Sequence, residues 1–285
     1  MKLKHALQLA VEGVSAKPSR TILTLAGIAI GIASVILIMS MGGGAQNLIL
    51  SEIEGFGAEM IVIRPGKEPT GFSDISDTLL TESLTEKDII ALRRKENVPH
   101  LVNIAPQVVV PGTVTYESEA FRPIIVGSDA EFYEELLDLY PEEGRVFGEP
   151  EIREKASVAL IGHEVKQELF GNQNALGERI TISGRKFQII GIYPERGFGS
   201  LLDYDKLVVI PYTTANTYLL GASHYQEVIV QVENSDVVAR SVRDIERTIR
   251  ENHGLEPGDI DDFNVTTQQE TVDTIGSVIS ALTIF

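Results

Sequence analysis

The stretch TILTLAGIAIGIASVILIMSM, residues 21–41, decides the architecture of this chain. Its 21 residues carry no charge, and the nearest charged residues are Arg20 before it and Glu52 after it. As an α-helix it is roughly 31 Å long, which matches the hydrocarbon core of a bilayer. A core helix of a soluble protein carries a polar stripe, and this stretch has none. The sequence therefore predicts a transmembrane helix over residues 21–41.

Charges on the two sides of this helix predict its orientation. Lys17, Arg20 and two further lysines precede it, whereas the first charged residue after it is Glu52. Basic residues stay on the cytoplasmic side of a membrane, so Lys17 and Arg20 are predicted to set the topology. Residues 1–20 then form a cytoplasmic amphipathic segment, and the bulk of the chain lies outside. The apolar region of a cleaved signal peptide, the alternative, is shorter, usually about 7–15 residues.

Small residues inside the helix predict a packing face. Gly27 and Gly31 form a G-x-x-x-G pair, and Ser34 follows them at helical spacing. Small side chains at this spacing let two helices approach closely in lipid. We therefore predict that Gly27, Gly31 and Ser34 line a helix-packing or dimerisation face. A pair of lipid-facing glycines is the alternative.

Composition places most of the chain in water. Mean hydropathy is only +0.06, and 23% of the residues are charged. Four basic residues against one acidic residue give residues 1–20 a charge of +3, so the rest of a chain with net charge −17 carries −20. Such acidity repels phosphate backbones, so no nucleic acid is predicted as a partner. The absence of cysteine excludes disulfides, cysteine-based zinc sites and thiol nucleophiles.

Residues 42–272 are predicted to form one extracytoplasmic domain of fold class α+β. Strands and helices alternate in residues 42–144 and 221–272, which favours an α/β lobe. Residues 145–220 are mainly β and are predicted to form a β-rich lobe inserted into it. The predicted strands are 60–64, 98–116 with a break at Pro111-Gly112, 121–127, 157–161, 179–182, 186–193, 207–210 and 227–233. The predicted helices are 42–58, 85–95, 129–139, 163–170 and 237–253, with a mobile loop over 67–81.

The end of the chain is apolar again. Asp273 is the last charged residue, and twelve uncharged residues follow it up to Phe285. Twelve residues are too few to cross a bilayer. Residues 273–285 are therefore predicted to begin a second transmembrane helix that is truncated here, with a buried terminal helix as the alternative.

Motifs for catalysis and metal binding are missing from the sequence. It contains no P-loop, no G-x-S-x-G and no H-E-x-x-H, so we predict a chain without catalytic residues, cofactor or metal. The acidic turn at Asp259, Asp261 and Asp262 departs from the EF-hand order, because Phe263 and Val265 stand where oxygen ligands are needed. It is interpreted as a solvated turn. The histidines are predicted to lie on the surface: His5, His100, His163, His224 and His253.

Several short apolar and glycine motifs, taken in order, resemble one family. Residues 19–35 resemble the first membrane helix of MacB-like ABC transporter permeases, and the stretch Gly55-Phe56-Gly57-Ala58 resembles the beginning of their periplasmic core domain. Further motifs are similar to the rest of that domain: Ile61-Val62-Ile63, Pro65-Gly66, Gly144-Arg145-Val146-Phe147, Val158-Ala159-Leu160-Ile161-Gly162, Leu169-Phe170-Gly171, Leu176-Gly177 and Phe187-Gln188-Ile189-Ile190-Gly191-Ile192.

The resemblance implies a function and a set of partners. It implies a four-helix permease half that lies in the cell membrane in contact with lipid and pairs with a second permease copy. It also implies an ATPase, which is expected to be a separate cytoplasmic chain because Met1 lies just ahead of the first helix. It offers no catalytic residue. An export or mechanotransmission permease is the first interpretation, and an extracytoplasmic adaptor stays open. An FtsX-like regulator of a cell-wall hydrolase and a membrane-tethered binding or sensor domain are the alternatives.

Overall fold

The computed structural model describes residues 5, 17–55, 57–67, 83–197, 203–274 and 276. The chain divides into two units, one of residues Met1–Ile49 and Ile275–Phe285 and one of residues Leu50–Thr274. The predictions for most of segment 1–20, for most of the loop 67–81 and for the helix after Asp273 fall outside the described residues.

The first long element is helix α1, Pro18–Gly55, of 38 residues. Proline fits the first helical position because its missing N–H has no partner there in any case. The section Pro18–Gly44, with mean hydropathy 2.6, is long and apolar enough to cross a membrane, as its length and composition show. The predicted transmembrane stretch lies inside it, and the predicted helical continuation after residue 41 is present as far as Gly55.

A mixed β-sheet forms the centre of the second unit. The described residues contain twelve strands: β1 Met60–Pro65, β2 Leu101–Val110, β3 Val114–Tyr116, β4 Glu119–Phe121, β5 Ile124–Ser128, β6 Glu143–Gly144, β7 Val158–Ile161, β8 Arg179–Ile182, β9 Arg185–Ile192, β10 Leu207–Pro211, β11 Glu227–Val232 and β12 Phe263–Thr267. Their order across the sheet is β12-β1-β11-β2-β5-β10-β7-β9-β8-β3-β4, and β6 pairs with β9.

Helices accompany the strands of the second unit. They are α2 Glu86–Leu92, α3 Ala130–Leu137, α4 Glu149–Arg153, α5 His163–Phe170, α6 Tyr212–Thr214 and α7 Val238–His253, with a π-helical turn at Ala215–Leu220 and 3₁₀ turns at Tyr204–Lys206 and Ser235–Val237. Residues 268–274 are also helical. The apolar helix α1 followed by a mixed domain of helices and strands confirms the predicted fold class.

Local sequence signals explain several element boundaries. Asp88 Oδ2 accepts hydrogen bonds from Thr85 N at 2.7 Å and from Thr85 Oγ1 at 2.9 Å, which fixes the start of α2. Asp129 Oδ1 accepts from Glu131 N at 3.1 Å and caps α3. The hairpin β8–β9 turns at Ser183 and Gly184, whose positive φ angles of 47° and 84° suit a two-residue turn. Helix α2 ends at Leu92, earlier than the predicted residue 95.

Strand β2 joins the two parts of the sheet. Its residues from Leu101 to Gln107 pair with β11, whereas its last residues, Val108 to Val110, pair with β5. Strands β3 and β5, which the prediction assigns to the α/β lobe, pair with β8 and β10 of the predicted β-rich lobe. Because one sheet runs through both lobes, strand pairing does not define their boundary, and the division at residues 145 and 220 stays a prediction.

Candidate functional site

The first candidate site is the small-residue face of α1. Gly27, Gly31 and Ser34 lie within about one sixth of the helix circumference, since four and then three residues separate them. In the described part of the chain, a Cβ atom at Gly27 or Gly31 would meet no atom within 4 Å beyond the helix itself. Ser34 Oγ donates to Ile30 O at 2.8 Å, so its hydroxyl is satisfied within the helix. The face is therefore exposed and narrow enough for a second helix to approach, as predicted packing requires.

Lys17 and Arg20 lie at the other predicted position, the start of α1. Lys17 immediately precedes the helix, and its carbonyl oxygen accepts from Arg20 N at 3.1 Å and from Thr21 N at 3.2 Å. Both side chains are exposed. Positive charge at a helix N-terminus opposes the helix dipole by typically about 0.3–1 kcal/mol, so these residues do not serve the stability of α1. Their role in setting membrane topology stays a prediction.

The second candidate site is the end of the sheet where the chain enters and leaves the core domain. Strand β1 starts at Met60, five residues after α1 ends at Gly55. Ile61 pairs with Thr267, the last residue of β12, and Val232 N donates to Glu59 O at 3.0 Å. We call this end, marked by Met60, Val232 and Thr267, the base of the domain.

Strand β1 is held firmly between its neighbours at the base. It forms five residue pairs with β12 and four with β11, and all of them are antiparallel. The side chains of Ile61 and Ile63 are completely buried on one face. Displacing β1 would break hydrogen bonds on both edges and expose these side chains, so β1 is a firmly held strand of the sheet.

A third group of residues surrounds His253, and here the prediction of a surface histidine is wrong. The His253 side chain is only 11% exposed; its Nδ1 lies 2.7 Å from Asp262 Oδ1 and its Nε2 lies 3.2 Å from Asp88 Oδ1. Asp88 is buried, with 1% of its side chain exposed. Burial alone would lower the pKa of His253, but the hydrogen bond to Asp262 and the charge of Asp88 outweigh it and raise the pKa.

The neighbouring acidic turn is solvent-exposed, as the sequence suggested, with the side chains of Asp261 and Asp262 39% and 46% exposed. Asp261 pairs with Arg250. Asp259 Oδ2 accepts from Glu256 N at 2.8 Å. The turn is therefore closed by its own hydrogen bonds and by Arg250. Sequence reasoning considered Asp262 in the acidic turn and His253 as a surface residue, but it missed their grouping with Asp88 because the three residues lie on separate segments.

Comparisons with known proteins agree with the architecture. Residues 21–248 match the family model described as MacB-like periplasmic core domain. The chain is 30% identical over 257 residues to the macrolide export ATP-binding/permease protein MacB of Chlorobaculum tepidum, covering 90% of this chain and 39% of that protein. It is 29% identical over 286 residues to the MacB of Wolinella succinogenes, covering 100% of this chain and 42% of that protein. The chain thus spans about two fifths of the length of these relatives.

Solved structures show the same fold. The periplasmic region of MacB from Actinobacillus actinomycetemcomitans superposes with a TM-score of 0.63 at 23% identity, covering 81% of this chain and 97% of that one. The extracellular domain of the noncanonic ABC-type transporter YknZ from Gram-positive bacteria superposes with a TM-score of 0.58 at 20% identity, covering 73% and 100%. By its sequence and its fold, this chain belongs to the family of the MacB-like periplasmic core domain, found in MacB-like ABC transporter permeases.

Proposed function

We propose that this chain couples a separate cytoplasmic ATPase to mechanical work by its extracytoplasmic domain, in an ABC-type export or mechanotransmission system. The proposal rests on the way in which α1 and the paired strands β1 and β12 are connected at the base of the domain. Strand β1 follows α1 after a few residues, and β12, which leaves the domain, pairs with β1 along its whole length. Movement of the membrane segments then acts directly on two paired strands in the sheet.

The partners follow from the family and from the sequence. The relatives from Chlorobaculum tepidum and Wolinella succinogenes are ATP-binding/permease proteins by name, whereas this sequence has no P-loop. In this proposal the energy comes from an ATPase partner, as the ATP-binding/permease names of these relatives suggest. A second permease copy packs against the face of Gly27, Gly31 and Ser34, lipid surrounds the rest of α1, and macrolides are the first class of cargo to test.

Orientation follows from charge. Lys17 and Arg20 stay in the cytoplasm, α1 crosses the cell membrane, and the acidic core domain lies outside. The exposed residue Glu142 in the core domain is a suitable reporter, because the chain has no cysteine and Glu142→Cys gives a single labelling position. In intact cells, we expect this cysteine to react with a maleimide that cannot cross the membrane, and a lack of reaction would contradict the proposed orientation.

An insertion at the base tests mechanical coupling. We expect four flexible Gly-Ser residues inserted after Gly57 to abolish the response of the core domain to ATP, because a flexible linker no longer passes force from α1 to β1. The measurement uses the full-length permease with its ATPase in nanodiscs, spin-labelled at Glu142→Cys. Without the insertion, a non-hydrolysable ATP analogue shifts the distance between the labels of the two copies. With the insertion, the shift disappears.

The matched control is the same insertion at the turn between Ser183 and Gly184, which lengthens the β8–β9 hairpin and leaves the base unchanged. This variant is expected to keep the full shift. An unmodified protein that shows no shift, or an insertion after Gly57 that preserves it, contradicts mechanical coupling and favours a membrane-tethered binding or sensor domain. A spin-label signal without coupling to a second label contradicts the presence of a second permease copy.

Substitutions in α1 test the packing face. The double variant Gly27→Leu, Gly31→Leu is expected to weaken association of the permease copies about tenfold, because bulky side chains at these positions keep the two helix backbones apart. Association is measured by energy transfer in nanodiscs or vesicles as the ratio of protein to lipid is varied. The control Ala29→Leu, Ala33→Leu introduces the same leucine side chains on the opposite side of α1. Equal weakening by both variants would refute a specific face.

A further inference from the structure

We propose that Asp88, His253 and Asp262 form a proton-controlled latch that holds helix α2 against the end of helix α7. The three residues come from three segments: Asp88 from the first turn of α2, His253 from the last residue of α7, and Asp262 from the residue before β12. The latch belongs to the core domain alone and does not depend on the proposed coupling to an ATPase.

The geometry favours a proton on each ring nitrogen: Nδ1 forms a hydrogen bond with Asp262, whereas Nε2 is in ion-pair contact with Asp88 and forms no hydrogen bond with any described residue. Nδ1 and Nε2 of His253 lie 2.7 Å and 3.2 Å from carboxylate oxygens of Asp262 and Asp88. Ionised carboxylates only accept hydrogen bonds, so both positions suit the doubly protonated imidazolium. The neutral ring has one N–H. If it donates to Asp262, the lone pair of Nε2 faces the oxygen of Asp88 and attraction becomes repulsion.

Asp88 cannot avoid this change by turning to water. Its side chain is 1% exposed, Oδ2 accepts two hydrogen bonds from Thr85, and Oδ1 accepts one from Asn252 Nδ2. These hydrogen bonds keep the carboxylate in place without supplying positive charge. Loss of the charge on His253 therefore leaves a buried carboxylate without its counter-charge, which is strongly unfavourable.

The groups in contact with His253 favour the charged ring or are neutral, and the nearby cation Arg250 is itself paired with a carboxylate. Helix α2 contributes Asp88, the segment before β12 contributes Asp262, and β12 contributes the uncharged ring of Phe263, whose centroid lies 5.9 Å away. On α7 itself, the guanidinium of Arg250 pairs with Asp261, and the last carbonyl groups of the helix favour a cation. The raised pKa of His253 agrees with this arrangement.

The direction of the pH effect follows from the raised pKa. The latch contributes its full stability at pH values below the ordinary pKa of histidine, and this stability is lost as the pH rises through the higher pKa of the folded state. Asp262 stays fixed through its carbonyl oxygen, which accepts from Gly66 N at 2.8 Å and Ser83 Oγ at 2.6 Å. Deprotonation therefore loosens α2, whose residues Ile89 and Leu92 are otherwise buried.

Hydrogen exchange of the full chain in nanodiscs tests the latch. Protection of the α2 amides, corrected for the intrinsic effect of pH, is expected to fall between pH 6 and pH 9, by about tenfold for each pKa unit by which His253 is raised. Glutamine in His253→Gln keeps a hydrogen-bond donor but does not titrate. The protection of the α2 amides in this variant is therefore expected to be independent of pH. His100→Gln is the control, since His100 also pairs with a carboxylate, at 2.9 Å from Glu233.

Two outcomes would overturn the latch. One is that α2 protection in His253→Gln still falls with pH as it does in the unsubstituted protein, while α2 protection in His100→Gln no longer depends on pH. The other is that the imidazole resonances of His253 in the unsubstituted protein titrate at or below the ordinary histidine pKa. This measurement applies even if His253→Gln does not fold. In Asp88→Asn, the same resonances are expected to titrate at lower pH than in the unsubstituted chain.

Discussion

Replacing Gly144 by alanine is expected to lower the free energy of unfolding of the core domain by about 3–5 kcal/mol, a large part of the stability of a typical domain. Gly144 lies in β6, opposite Gly191 of β9, with φ +87°. A Cβ atom there would lie 2.1 Å from Ile190 O and 2.9 Å from Gly191 Cα. Both are backbone atoms, so no side-chain rotation relieves the clash and the two strands must separate.

A matched glycine isolates the effect of the clash. Gly177 has the same φ of +87°, but a Cβ atom there would meet no described atom within 4 Å. Gly177→Ala should cost only the strain of a left-handed backbone, roughly 1–2 kcal/mol. Urea unfolding of both variants, followed by circular dichroism, measures the difference. Equal losses would mean that backbone conformation, and not the approach of β6 to β9, determines the need for glycine at residue 144.

Features that depend on neighbouring residues in the sequence could be predicted from it. Residues 21–41 form part of a long helix because a continuous apolar stretch satisfies its own backbone groups in lipid. Thr85 and Asp129 start helices because their side chains bond to backbone or side-chain groups two or three residues away. The Ser183-Gly184 turn follows for the same reason, since both residues accept positive φ.

Features that depend on distant residues could not be predicted in this way. Strand β12 is five residues long and follows an acidic turn. It forms a strand because all five of its residues pair with β1. The change of partner along β2, from β11 to β5, leaves no trace in the local alternation of side chains. His253 was assigned to the surface because its two carboxylate neighbours come from other segments.

The same limit applies to the candidate sites. Gly27, Gly31 and Ser34 could be recognised because their spacing within one helix is itself the signal. The base of the domain could not, because it depends on the pairing of Ile61 with Thr267 across most of the chain. Candidate residues that come together from distant segments are therefore found from the fold, whereas candidate residues grouped within one helix are found from the sequence.

Asp129 is a buried carboxylate that caps helix α3, and the cost of burying its charge can be measured. Its Oδ1 accepts from Glu131 N at 3.1 Å, and only 6% of the residue is exposed. Burial raises the pKa of Asp129 to about 6, helped by the nearby charge of Glu131, although the hydrogen bond from the Glu131 amide and the charge of Arg93 act in the opposite direction. The folded protein therefore binds a proton at Asp129 more tightly than the unfolded chain does.

The sign of the effect is opposite to that of a salt-bridged carboxylate. Between the ordinary pKa of 3.8 and the raised value of about 6, the native state holds more protons, so stability falls as the pH rises through this range and stays reduced above it. Asp129→Asn keeps the cap, because asparagine caps helices as well as aspartate, and it removes the charge. At pH 8 the variant should be more stable by about 2–3 kcal/mol, the equivalent of roughly two pKa units.

Urea unfolding at pH 4, 6 and 8 measures this gain, which should be small at pH 4 and nearly complete at pH 8. Asp205→Asn is the control, because Asp205 also accepts backbone hydrogen bonds, from Arg196 N and Gly197 N, but in exposed positions. The pH window also separates Asp129 from His253, since the loss of stability linked to His253 occurs at higher pH, above the ordinary histidine pKa. A gain of equal size at pH 4 and pH 8 would show that asparagine improves the cap itself, and the buried charge of Asp129 would then cost the fold nothing measurable.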